Sequence, residues 1–348
     1  MKRIAQLPLL LVLAVACQQP GPPAPPAAEP AATSAPEYAL VIHGGAGTLR
    51  KSISEQDEVE YRQRLEEALR LGQQILADGG TSLDAVEQVV RQMEDDPLFN
   101  AGRGAVFTSE GTNELDAAIM DGRDRSCGSV SGLKTVKNPI TLARRVMERS
   151  KHVFLVGAGA ESFADEVGVE RVPPEYFFVQ RRYDQWQQAV ERDRAAAAEP
   201  ETGSADDGQG RKGTVGAVAL DRHGNLAAAT STGGMTNKRF GRVGDVPVIG
   251  AGTYADNRSC AVSCTGFGEQ YIRNTIARDM AALVEFGGLT PQQAADKLIH
   301  HTLNPGDGGL IAVCHDGSEI MALNTEGMFR GVADSQGRFE VHVWSDEE

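Results

Sequence analysis

The stretch that most constrains this chain is Gly210-Arg-Lys-Gly-Thr-Val-Gly-Ala-Val-Ala-Leu-Asp-Arg-His223, where a polar, glycine-rich run turns abruptly into an apolar strand at Thr214. Val215, Ala217 and Ala219 alternate with Val218 and Leu220, small and β-compatible on both faces, which predicts a strand covered on both sides. Thr214 stands at its first position. A threonine hydroxyl is a weak nucleophile unless a base lies within hydrogen-bond reach, and cutting the Gly213–Thr214 bond would free an α-amino group to be that base. Its ordinary pKa of roughly 7.7–8.0 suits proton transfer near neutral pH. Gly213 presents a carbonyl with no side chain in the way, so Thr214 Oγ1 is also suited to attack its own upstream peptide bond.

The length, 348 residues, suits one large domain or two small ones, and 41% hydrophobic content is ordinary for a globular protein. The net charge of −14, with the cations scattered rather than striped, disfavours nucleic acid and anionic membrane surfaces as partners and leaves small polar substrates open. Residues 1–16 carry a basic start, Lys2 and Arg3, and a short apolar run ending at Ala14-Val15-Ala16-Cys17, which reads as an export signal too short to span a bilayer. The reading favoured here is a lipoprotein cut before Cys17 with acylation of its thiol, although Ala14 stands where such signals usually carry Leu; an ordinary Ala-x-Ala cut fits the same bond. Residues 17–37, rich in Pro and Ala, would be the tether. The expected location is therefore a bacterial periplasm or cell envelope, with membrane contact only through the lipid. Cys127, Cys260, Cys264 and Cys314 have no framework-like spacing and no nearby His completes a metal set. They are read as small core residues, with a disulfide as the alternative.

In chain order, residues 38–43 form a strand entering the loop Gly44-Gly-Ala-Gly47, which no Gly-Lys-Ser/Thr follows to make a phosphate loop. Residues 58–77 and 82–93 carry helical periodicity, the second capped by Thr81 or Ser82. A turn from Pro97 to Gly102 breaks the pattern, and strands are expected at 114–120, 127–133 and 152–156. Gly157-x-Gly159-x-x-Ser162 imitates a dinucleotide fingerprint without its third glycine, so a plain strand-to-helix turn is the preferred reading. A charged helix over 174–198 leads to a linker, 199–213, with nothing to bury. Beyond Thr214, strands are expected at 214–221, 226–232, near 247–264, and at 310–315, 319–323, 328–332 and 338–344. Helices are expected at about 269–286 and 291–301. Strands paired and then covered by helices in each half predict a layered α/β sandwich, one domain cut in two at Thr214, with two domains as the alternative.

Thr230-Ser-Thr-Gly-Gly234, Gly241-Arg-Val-Gly-Asp245, Gly250-Ala-Gly-Thr-Tyr254 and Ser263-Cys-Thr-Gly-Phe-Gly268, taken with Gly213-Thr-Val-Gly216 and His43-Gly-Gly-Ala-Gly47, resemble the plant-type asparaginase and isoaspartyl peptidase family of N-terminal-nucleophile hydrolases. The resemblance covers essentially everything from Tyr38 to Asp346, with the motifs in the family's order. It implies a four-layer αββα sandwich, self-cleavage between Gly213 and Thr214 into an α subunit (38–213) and a β subunit (214–348), and a dimer of such pairs. It implies Thr214 as nucleophile and Thr232 as its hydrogen-bonded partner. Arg242 would bind the substrate α-carboxylate through its planar fork, Asp245 the α-ammonium, and Thr265 and Gly266 the oxyanion. Gly268 and Asn100 join the substrate site. It also implies that backbone carbonyls of Met93, Glu94, Asp96, Phe99, Ala101 and Arg103 hold a structural sodium ion, and that the chemistry needs no cofactor.

Each residue has an ordinary reading beside the functional one. Arg242 and Asp245 make a plausible loop ion pair, and Thr230, Thr232 and Thr265 plausible strand residues. The joint pattern ending at a Gly-Thr bond outweighs them, and no Gly-x-Ser-x-Gly elbow supports a Ser-His-Asp hydrolase. The expected substrates are L-asparagine and β-aspartyl dipeptides. The alternatives are a glycosylasparaginase, whose branch typically has Ile after the nucleophile where this chain has Val215, and a non-catalytic aspartyl-binding lipoprotein.

Overall fold

The computed structural model describes residues 35–198 and 213–347. The expected signal segment 1–16, Cys17 with most of the tether, and linker residues 199–212 lie outside the described residues.

The strands are β1 (Ala39–Ala46), β2 (Leu115–Asp121), β3 (Cys127–Leu133), β4 (Phe154–Val156), β5 (Val215–Leu220), β6 (Leu226–Thr232), β7 (Thr253–Ala255), β8 (Cys260–Gly266), β9 (Gly308–Cys314), β10 (Glu319–Leu323), β11 (Gly327–Asp334) and β12 (Phe339–Trp344). They form an eight-stranded sheet in the order β12-β11-β1-β5-β6-β2-β3-β4 and a four-stranded sheet in the order β10-β9-β8-β7. The helices are α1 (Glu55–Ala77), α2 (Ser82–Asp95), α3 (Pro139–Arg149), α4 (Gly157–Val167), α5 (Gln180–Ala198), α6 (Gly268–Asn274), α7 (Ile276–Glu285) and α8 (Pro291–Asp296).

The layering follows from the two-residue period of the central strands. On β1, Leu40 and Ile42 pack into the core beneath α1 and α2, while Ala39 and Val41 face the smaller sheet. Strand β5 repeats this, with Val215, Ala217 and Ala219 on the helix side and Val218 and Leu220 on the sheet side. The second core is built from small residues such as Ala228, Ala261 and Ala312, and extends under α7 and α8. Helix, sheet, sheet, helix is the αββα sandwich expected, and β5 lies deep inside it. Burying each of its larger apolar side chains stabilises the fold by about 1.5–3 kcal/mol.

The helices start where capping predicts. Ser54 and Asp57 form a capping box at α1, Thr81 Oγ1 accepts from Asp84 N at α2, and Pro139 occupies the first turn of α3. Some boundaries differ from the sequence reading. The strand expected at 152–156 is only Phe154–Val156, and the helix expected at 174–198 is a short 3-10 turn (Pro174–Phe177) followed by α5. The helix expected at 269–286 breaks into α6 and α7 at Thr275, which adopts φ 47°. Gly157-x-Gly159-x-x-Ser162 opens α4 from an edge strand of three residues, as a plain turn does.

Cys260, Cys264 and Cys314 lie in the core as expected, and the alternative reading, a disulfide, holds for two of them. Cys260 and Cys314 are bonded as a disulfide between β8 and β9, where they stand directly opposite in the strand register. Fifty-four residues separate them in sequence, so only the pairing of the strands brings them together. Cys264 is buried and free, and Cys127 is half-buried and free.

Candidate active site

Thr214 is buried just before β5, with the Gly213–Thr214 bond beside Gly45, in the stretch expected as a loop that instead continues β1 to Ala46. Gly213 has φ +88°, and a Cβ on Gly45 would lie 2.4 Å from Gly213 Cα, so only glycine lets these two main chains meet. Thr214 Oγ1 donates to Thr232 Oγ1 over 3.3 Å. Thr232, the last residue of β6, also accepts from Gly234 N at 2.9 Å and donates to Gly213 O at 3.4 Å, which uses the hydroxyl's full capacity.

Asn100 is placed by the turn that follows α2. Pro97 ends helical geometry there, and Asp96 Oδ1 caps Leu98 N at 2.9 Å. Its Nδ2 donates to Gly213 O at 2.7 Å and to Gly234 O at 2.8 Å, while Oδ1 accepts from Val106 N at 3.0 Å. The Gly213 carbonyl, the electrophile of a self-cleavage, therefore has two donors aimed at its oxygen.

Across the cleft, β8 ends in Thr265 and Gly266. Ala46 N donates to Thr265 Oγ1 at 3.1 Å, occupying an acceptor site of that hydroxyl and leaving its proton free to be given elsewhere. Gly266 sits at φ +154°, where a Cβ would lie 2.0 Å from Asp307 O. Thr214, Thr232, Arg242, Asp245, Thr265 and Gly266 line one cleft, with Ala46, Gly234 and Met235.

Arg242 is mostly covered, and Glu269 grips it from one edge: Nε to Oε1 and Nη2 to Oε2, both 2.9 Å. The other edge faces glycines; a Cβ on Gly244 would lie 2.9 Å from Nη1 and one on Gly234 3.7 Å from it. Space in front of the guanidinium is thus kept open on the cleft side. Asp245 is buried, and its Oδ2 has no hydrogen-bond partner among the described residues. Burial pushes its pKa up to about 7, against the opposing pull of Arg242. A buried carboxyl oxygen without a donor, beside a clamped guanidinium, suits a ligand that brings both a cation and an anion. Gly268 keeps the wall between them thin, since a Cβ there would lie 2.8 Å from Asp245 Oδ1 and 2.9 Å from Arg242 Nη2.

The structure thus brings together Thr214, Thr232, Arg242, Asp245, Thr265, Gly266, Gly268, Asn100 and Gly213. Sequence reasoning missed Glu269, 27 residues from Arg242, and the main-chain donor at Ala46. For the expected sodium turn, no cluster of three or more His, Cys, Asp or Glu side chains suited to a metal occurs among the described residues, so main-chain carbonyls would have to serve. The turn fits that role in part. Gly102 and Gly104 double back so closely that a Cβ would lie 2.3 Å from Glu94 O and 2.0 Å from Phe99 O. The carbonyls of Met93, Asp96 and Ala101 already accept from main-chain N–H groups of the turn.

Comparison with known proteins gives the family. The family described as Asparaginase matches residues 36–343. An Escherichia coli protein named isoaspartyl peptidase is 50% identical over 84% of this chain and 91% of its own length. An Arabidopsis thaliana protein named probable isoaspartyl peptidase/L-asparaginase 2 is 45% identical over 88% and 99%, and a Homo sapiens isoaspartyl peptidase/L-asparaginase 42% identical over 83% and 91%. These relatives correct the location expected from residues 1–36. They span a bacterium, a plant and an animal rather than bacterial envelopes, so the reading as an envelope lipoprotein acylated at Cys17 is withdrawn. The chain is an enzyme that belongs to the asparaginase family.

Proposed function

We propose that this chain is a self-processing amidohydrolase that releases L-aspartate from L-asparagine and from β-aspartyl (isoaspartyl) dipeptides. One observation carries the reading. The Thr214 hydroxyl lies 3.3 Å from Thr232, at a bond whose carbonyl receives donors from Asn100 and Thr232. Thr214 Oγ1 attacks the Gly213 carbonyl, the developing oxyanion is met by Asn100 Nδ2, and acyl shift followed by hydrolysis leaves Thr214 with a free amine. The products are an α subunit ending at Gly213 and a β subunit beginning at Thr214, which assemble as a dimer of α/β pairs.

In turnover the amine takes the proton from Oγ1 as that oxygen attacks the β-carbonyl of the substrate. Thr265 Oγ1–H and Gly266 N–H stabilise the oxyanion, Arg242 binds the α-carboxylate, and Asp245 the α-ammonium. Ammonia or an amino acid leaves with the proton, and water then releases aspartate from the β-aspartyl enzyme. Both substrate types present the same α-centre, so the same clamp serves each. Thr214, its amine and water suffice for this chemistry. A sodium ion on the carbonyls of the turn 93–104 would only stiffen the seat of Asn100.

The names of the relatives support the same substrates. The test is aspartate release from three compounds: asparagine, a β-aspartyl dipeptide and a glycosylated asparagine. Turnover of the first two with none of the third is expected. Turnover of the glycosylated compound alone would make this a glycosylasparaginase, and binding without turnover would make it a capture protein.

A further inference from the structure

His43 has no part in the mechanism above, yet it is fully buried against the nucleophile residue. The β1–β5 ladder ends at the pair His43↔Gly216, and the His43 ring fills the space a side chain on Gly216 would need. A Cβ there would lie 2.3 Å from His43 Nε2 and 2.0 Å from Ser263 Oγ. The ring reaches past the end of the ladder to the main chain of Thr214, with Nδ1 at 2.9 Å from Thr214 O.

The proton directions in this cluster are fixed by its chemistry. A carbonyl only accepts, so Nδ1 carries the proton and donates to Thr214 O. Burial lowers the ring's pKa to about 3, against the raising effect of the Thr214 bond, so the ring is neutral and Nε2 is an acceptor. Ser263 Oγ, 2.8 Å away, must therefore donate to Nε2. Having given its proton there, Ser263 accepts from Thr230 Oγ1 at 2.8 Å, and Thr230 accepts from Thr253 Oγ1 at 2.8 Å. Thr253 has one hydroxyl proton, which this direction commits to Thr230 rather than to Val246 O at 3.0 Å. All four side chains are fully buried.

We propose that His43 is a positioning residue for the Thr214 nucleophile, held in the Nδ1–H tautomer by a one-way hydroxyl chain of Thr253, Thr230 and Ser263 that ties β7 and β8 of the smaller sheet to the Thr214 main chain. The inference rests on Thr214 being the nucleophile. A side-chain bond thus holds the Thr214 carbonyl beyond the end of the ladder, and the residue bearing the amine and hydroxyl is fixed relative to β8, the strand that ends in Thr265 and Gly266. Substrate affinity then depends on Arg242 and Asp245, and turnover on His43.

Two measurements test it. In the processed protein labelled with 15N-histidine, one imidazole should show a protonated Nδ1 and a bare Nε2, with no titration between about pH 5 and 9, where an ordinary histidine titrates. In kinetics with asparagine, His43→Ala should lower kcat by on the order of 10²-fold at unchanged KM. His43→Asn, whose carboxamide N–H lies near the Nδ1 position, should recover much of that loss. Should His43→Ala fail to fold, Ser263→Ala keeps the ring but leaves Nε2 without a donor, and should lower kcat at unchanged KM. An Nε2–H or titrating ring, wild-type kcat in the variant tested, or an effect confined to KM overturns the inference. If Thr214→Ala is inactive while the His43 variants keep full kcat, only this inference falls. If Thr214→Ala retains activity, the nucleophile assignment itself has failed.

Discussion

Replacing Asp245 by Asn should make the protein more stable and the enzyme worse, in a pH-dependent way that its buried carboxyl dictates. The folded-state pKa is pushed up to about 7 by burial, above the ordinary carboxylate value of 3.8. Between those values the folded protein binds more protons at this site than the unfolded chain, so stability falls as pH rises from about 4 to about 7 and is flat above. The full difference is on the order of 4 kcal/mol, reached only above pH 7. Asn resembles the neutral acid in shape and carries no such penalty. The assay is urea unfolding of Thr214→Ala against Thr214→Ala/Asp245→Asn, since an unprocessed single chain keeps two-state analysis meaningful. The two should be close at pH 4 and diverge towards pH 7, the double variant being the more stable. In the active background, Asp245→Asn leaves the substrate ammonium without a counter-charge and should cut kcat/KM by about 10²–10³-fold, a loss of about 3–4 kcal/mol. The wild-type KM should rise as pH falls below about 7, where Asp245 is protonated. A stability gap that does not change with pH would refute the reasoning.

Three further outcomes follow from the same geometry. Asn100→Ala removes the 2.7 Å donor to Gly213 O and should slow the appearance of two fragments by about 10²–10³-fold, followed by gel densitometry. Arg242→Lys keeps the charge but loses the planar fork that Glu269 clamps, and should lower kcat/KM about 10–100-fold, mainly through KM. Gly45→Ala puts a Cβ 2.4 Å from Gly213 Cα at φ +117°, and should cost at least about 1–3 kcal/mol in a urea titration.

The sequence made the centre of the fold readable because β5 alternates small residues on both faces, and a strand covered on both sides has few places to go. The turn at Asn100 was equally readable, since Pro97 and two glycines punctuate it. What stayed hidden depends on which strand lies beside which. Gly216 is a motif letter in the sequence, and only the β1–β5 register shows that it leaves room for the His43 ring. Cys260 and Cys314 meet through the β8–β9 register, and Glu269 meets Arg242 because α6 begins where β8 ends. The break at Thr275 has no glycine or proline to announce it, because a threonine takes the left-handed conformation there. The reading of residues 1–36 as an envelope anchor rested on local pattern alone, and it is the reading that the relatives overturned.

The central claim is that Thr214 cuts its own chain and then acts through the amine it has freed. Intact-mass measurement and N-terminal sequencing of the purified protein after incubation, beside Thr214→Ala, test it most directly. The account predicts two fragments, one beginning Thr-Val-Gly-Ala, and a single uncut chain in the variant. An uncut wild-type chain that still hydrolyses asparagine, or a cut Thr214→Ala chain, would contradict it.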